Sequence, residues 1–81
     1  MDLKDTKELM TSADYKDRFK AEYYQTKIRY EKLKNMCDKW DKGVLEFKPT
    51  CPRLIYACQL KAMKEYIDVL EARAEMENVK L

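Results

Sequence analysis

The chain contains no histidine, one glycine and two prolines among its 81 residues. Without histidine, the commonest general base and the commonest metal ligand are both missing. One glycine cannot build a glycine-rich phosphate loop. No uninterrupted apolar run approaches the roughly 20 residues of a membrane span. Cysteine is sparse and odd in number: Cys37, Cys51 and Cys58 include no CxxC pair and follow no signal peptide, which favours reduced thiols in a cell interior. A three-thiolate zinc site with a carboxylate lacks ligand-like close spacing. Cys51 falls near the start of a predicted helix, where the dipole can activate a thiol, but a small capping residue is the simpler reading. No catalytic constellation emerges, and the chain reads as a non-enzyme with no cofactor.

Charge of one sign is also lacking. Lys and Arg number 17 against 15 Asp and Glu, which is not the balance of a protein that binds DNA or RNA specifically. What is abundant is Lys, Glu, Leu, Ala, Met and Tyr, the composition of a helical protein. A chain this short buries only about 60% of the surface its unfolded form exposes, so a single copy is marginal.

The fold class expected is all-α: an antiparallel two-helix hairpin behind a short N-terminal extension, assembling into a homo-oligomeric bundle. Residues 1–12 form the extension, in which "KELM" can make a turn or two of helix, and residues 13–81 form the hairpin domain. Ser12 suits an N-cap, with Asp14 and Asp17 placing negative charge in the first turns. The first helix then spans about 13–42, Gly43 stops it, and a loop covers 43–51. In that loop Val44, Leu45 and Phe47 are expected to fold back over the hairpin end. Thr50 or Cys51 caps a second helix over about 52–77, with Pro52 in its first turn. Asn78 supplies a left-handed stop, after which Val79 and Leu81 can pack back.

Matching seams support the hairpin. Phe19, Tyr23, Thr26, Tyr30, Leu33, Cys37 and Trp40 alternate four and three apart, as do Tyr56, Leu60, Met63, Ile67, Leu70 and Ala74. Leu33 and Leu60 are the seam leucines expected to be costly to truncate. Each helix carries a second apolar edge, with Ala21, Tyr24 and Ile28 on the first and Ile55, Ala62, Tyr66, Val69 and Met76 on the second. A lone hairpin has too little core to bury both edges. Ala21, Ile28, Ala62 and Val69 are therefore the expected subunit interface, and the many tyrosines suit a face that is half core and half interface.

The remaining candidate chemistry is a set of cations and aromatics. Tyr24, Lys27 and Arg29 cluster in sequence, an antiparallel register sets Tyr66 opposite Arg29, and Arg73 lies farther along. Arginine forks can hold a phosphate while a tyrosine ring stacks on a base or sugar. The same arginines can equally be paired with neighbouring carboxylates.

In "YKDRFKAEYYQTKIRYEKLKNM", "FKPTCP" and "KAMKEYIDVLEARAEMENVKL" the chain resembles a family of small proteins of tailed phages and prophages, related to a small protein of the crAss-like phages. Arg53, Tyr56, Ala57 and Asn78 depart from that family's pattern. The resemblance implies an accessory phage protein working in the cytoplasm of the infected bacterial host, without implying a chemistry. Small oligomeric phage hairpins are similar in architecture to proteins that sequester cyclic-nucleotide immune signals, an analogy of fold and context. Two functions follow as expectations. One is a counter-defence protein that sequesters a cyclic nucleotide or ADP-ribose-type signal in an oligomer, bound by Tyr24, Lys27, Arg29, Tyr66 and Arg73. The other is a protein-interaction module that inhibits a host protein or serves as a virion or assembly component.

Overall fold

The computed structural model describes residues 1–81 and is all-α, without strands. A 3₁₀ turn, Leu3–Thr6, leads into a short helix α1, Lys7–Met10, and two long helices follow, α2, Tyr15–Asp41, and α3, Arg53–Met76. The fold thus has three α-helices rather than the two of the expected hairpin, the third being the "KELM" turn of the N-terminal extension. The two long ones do pack as an antiparallel pair, giving a molecule 43 × 24 × 17 Å.

Local chemistry fixes the helix ends. Asp14, not Ser12, is the N-cap of α2, its carboxylate accepting the Lys16 N–H at 2.9 Å. Ser12 supports it from two residues back, accepting the Asp14 N–H and donating to the Asp17 carboxylate. At the other end Gly43 adopts φ +73°. The Val44 N–H reaches back to the Lys39 carbonyl and the Gly43 N–H to the Trp40 carbonyl, the paired bonds of a Schellman stop. The same motif closes α3: Asn78 takes φ 57°, Val79 N–H bonds the Ala74 carbonyl, and the Val79 side chain is buried. The start of α3 differs from expectation, since Pro52 is itself the N-cap and no side chain caps the helix. Leu45 is half-buried, but Val44 and Phe47 stay largely exposed rather than folding back.

Nothing lies within 4 Å of a Cβ built on Gly43, so only its backbone angle resists substitution. Gly43→Ala is expected to lower stability by about 1–2 kcal/mol, the cost of forcing a side chain into the left-handed region. Gly43→Asn should cost less, because asparagine tolerates that region. Equal losses for both variants in urea unfolding would contradict this origin.

The core is Phe19, Tyr23, Ile67, Leu70, Ala74 and Val79, with Tyr24 and Tyr30 packed against it. It sits toward the open end of the hairpin. Leu33 and Leu60, farther along the seam, are only half-buried. At the tip, Arg53 holds both Asp41 carboxylate oxygens at 3.0 and 3.1 Å, and Trp40 meets Tyr56 edge to face.

The N-terminal segment covers part of one edge expected to be an interface. It packs on α2 along the edge opposite α3, where Ala21 is completely buried and Tyr24 and Ile28 are half-buried. Gln25 reaches the Met10 sulfur at 3.5 Å on this side, and Thr6 is buried with its hydroxyl donating to the Leu3 carbonyl. Ala21 thus lies on the edge that the chain's own N-terminus packs against, a short segment in which Thr6 is buried and Leu3 and Leu9 are half-buried. On α3 no such cover exists: Ala62 and Val69 are exposed.

Candidate ligand-binding site

The five residues expected to bind a ligand do not converge on one pocket within the chain. Lys27 and Arg29 are two apart on α2, and at 100° per residue their side chains leave the helix roughly 200° apart. Their surroundings divide accordingly.

Lys27 belongs to the core boundary. Its ammonium donates to the Tyr23 hydroxyl at 3.2 Å, and that hydroxyl donates to a Glu71 oxygen at 2.6 Å. The hydrogen bond to Tyr23 raises the Lys27 pKa above its ordinary value, while burial, followed by the Glu71 bond, raises that of Tyr23. Tyr24 stacks edge-on against the Tyr23 ring, with centroids 5.1 Å apart. These side chains are organised by one another.

Arg73 forms a clasp across the open end of the hairpin. Its Nε donates to Glu77 at 2.8 Å, its Nη2 donates to the Tyr15 hydroxyl at 2.8 Å, and its guanidinium lies 4.9 Å from the centre of the Phe19 ring. The Tyr15 hydroxyl also donates to Glu77, and Lys16 Nζ bonds the Asn78 carbonyl. The Arg73 and Tyr15 hydrogen bonds hold the Glu77 carboxyl below its ordinary range, and the Glu77 bond raises Arg73. Arg73 thus ties the last turn of α3 to the first turn of α2.

Tyr66 and Arg29 occupy one flank. The Tyr66 hydroxyl donates to Glu22 instead of meeting Arg29, which fixes the ring while leaving it partly exposed. Arg29 lies seven residues beyond Glu22, about two turns along the same face. It is exposed and takes part in none of the three ion pairs, which are Arg53–Asp41, Lys64–Asp68 and Arg73–Glu77. Neither Glu31 nor Glu65 neutralises it. Ala62 and Val69 border this flank on α3.

The surface hollows lie elsewhere. A cleft of about 540 Å³ opens at the hairpin tip between Trp40, Leu45, Phe47, Lys48 and Thr50–Pro52, with a smaller hollow beside it around Lys39 and Val44. Neither includes an expected ligand residue. The loop "GVLEFKPTC" signalled it only through its unusual apolar content. Cys51 and Cys58 are exposed whereas Cys37 is buried, and no group of three His, Cys, Asp or Glu side chains could hold a metal. No helix is long and apolar enough to cross a membrane.

These features define a small all-α scaffold whose polar chemistry is displayed on its flanks rather than gathered in a cavity. A family model described as Sequestin matches residues 13–76, all of both long helices and the tip between them, and the chain belongs to that family. No curated protein and no solved structure matches it.

Proposed function

We infer that this protein is a non-enzymatic accessory protein of a phage, acting in the cytoplasm of the infected bacterium to counter host defence by sequestering a nucleotide immune signal. The family name is compatible with a sequestering role. One observation carries the ligand reading: Arg29 is an exposed guanidinium without a carboxylate partner, on the flank that also presents the Tyr66 ring. A free guanidinium offers forked donors to a phosphate, and a fixed ring offers a stacking face. Glu22 anchors the ring two turns away, keeping a bound phosphate toward the Arg29 end. A flank lacks walls, so the pocket is completed by a second copy in a homo-oligomer.

Titration with cyclic di- and trinucleotides and ADP-ribose derivatives tests this reading. A ligand bound only by the folded protein stabilises it by mass action, about 2.7 kcal/mol at a hundred times the dissociation constant. The expected result is heat of binding and a raised melting temperature with one member of that panel, with no other protein present and the ligand recovered intact. No heat and no thermal shift from any member would transfer the function to the protein-only alternative, an inhibitor of a host protein or an assembly component.

A further inference from the structure

The exposed edge of α3 has a regularity that the single chain does not use. Ile55, Ala62, Val69 and Met76 recur every seven residues, and all four are exposed, Ile55 at 53%, Val69 at 56% and Met76 at 81%. The neighbouring row, three positions on, is Cys58, Glu65 and Ala72, small at its ends and acidic at its middle. A seven-residue apolar repeat is the seam of two helices packed lengthwise. Such a seam is already present elsewhere on α3, where the alternation through Ile67, Leu70 and Ala74 is buried against α2. The helix therefore carries two seams, and only one is occupied.

Charge selects what covers the second. Arg53, Glu71, Arg73 and Glu77 are engaged within the chain, by Asp41, Tyr23 and the Tyr15 clasp, and the remaining charges of the helix are Lys61 and Lys64 in its first half and Glu65, Asp68 and Glu75 in its second. A copy of the same helix laid antiparallel brings the basic half of each against the acidic half of the other. Parallel pairing would set like against like. Lys61 and Asp68 occupy equivalent places one heptad apart beside the stripe, so a two-fold axis near residue 64 puts each Lys61 next to the partner's Asp68. Lys61 enters no ion pair within the chain, and Asp68 meets only Lys64, on its own helix. The Lys61–Asp68 exchange is self-complementary, as a closed two-fold dimer requires, and it outnumbers the one like-charge approach, Glu65 to its symmetry mate near the axis.

We propose that two copies of this chain pair through the outer edge of α3, antiparallel, along Ile55, Ala62, Val69 and Met76, with Lys61 and Asp68 exchanged across the axis. This deepens the oligomeric part of the proposed function and is independent of which ligand, if any, is bound. It also sets Tyr66, on the α2 side of the stripe, at the margin of the shared seam, where a second copy can wall the Arg29 flank.

The test needs no ligand. Analytical ultracentrifugation of the full chain is expected to show a dimer at tens of micromolar. Val69→Glu should raise the dissociation constant at least about a hundredfold, since it places a charge in the seam. Lys61→Glu and Asp68→Lys should each weaken the homodimer at least about tenfold, and an equimolar mixture of the two should restore dimerisation by matching opposite charges. Circular dichroism of each variant checks that helix content is kept. Orientation is read by cross-linking in a Cys51→Ser background. Cys58 and its symmetry mate would be roughly 18 Å apart along the axis, from a 1.5 Å rise per residue, so a short bis-maleimide should not join them. Glu65→Cys, with Cys58→Ser added, should be joined efficiently. A monomer at hundreds of micromolar, a dimer indifferent to Val69→Glu, or efficient Cys58 cross-linking would each overturn the proposal. A monomer that still binds a nucleotide sinks only this pairing, and a dimer that binds none sinks only the ligand reading.

Discussion

Leu70→Ala should lower the unfolding free energy by about 2–5 kcal/mol, the range for truncating a fully buried leucine whose surroundings cannot collapse onto the cavity. Leu70 has no exposed surface and sits at the centre of the Phe19, Tyr23, Ile67, Ala74 and Val79 cluster. Two circumstances put the effect at the upper end. The core has only six members, so no second layer is available to relax inward. Its neighbours are also tied in place, Tyr23 by Glu71 and Phe19 beneath the Arg73 guanidinium. Small domains hold about 5 kcal/mol or little more in total, so much of the population should unfold at physiological temperature. Leu33→Ala and Leu60→Ala, at half-buried positions, should cost distinctly less. Urea unfolding with an unchanged slope and a lowered midpoint is the expected signature. A loss below 1 kcal/mol at Leu70, or an equal loss at Leu33, would show that the core is placed wrongly.

That ordering was only partly legible in the sequence. Both seams, the long loop and the stops at Gly43 and Asn78 follow from four-three spacing and from residues that tolerate positive φ. The distribution of burial along the seam does not. It depends on where the chain adds further layers, and Val79 folding back over the last turn thickens the open end alone. Covering of the Ala21 edge was equally hidden, because the segment 3–10 is too short for its Leu3, Thr6, Leu9 and Met10 spacing to stand out as a stripe. The N-cap moved from Ser12 to Asp14 because both residues can accept an early N–H, and only the chain's path shows which one does.

Helix geometry separates two of the candidate site residues that look like neighbours in the sequence. Residues two apart on a helix do not share a face. Lys27 and Arg29 look adjacent in "QTKIRY", yet one completes a part-buried tyrosine–glutamate network and the other stands free. Arg73 was a different case, since i,i+4 pairing with Glu77 is readable from sequence but the Tyr15 and Phe19 contacts are not.

Arg29→Ala and Arg73→Ala should consequently fail in opposite ways. Arg29 makes no ion pair, so its truncation should leave the melting temperature and helix content nearly unchanged. If Arg29 holds a ligand phosphate, losing a charge-assisted hydrogen bond of about 1.5–3 kcal/mol should weaken binding about ten- to a hundredfold. Arg73→Ala removes the clasp from Glu77, Tyr15 and Phe19 and should lower the melting temperature. Folded Arg73→Ala protein should keep its affinity for the same ligand. A thermal melt and a calorimetric titration on each variant separate the cases. If Arg29→Ala destabilises the fold while affinity is unaltered, the arginine is a structural residue and the flank is not the site. If Arg73→Ala abolishes binding with the fold intact, the ligand lies at the open end, and the Tyr15–Glu77 clasp would have to open to admit it.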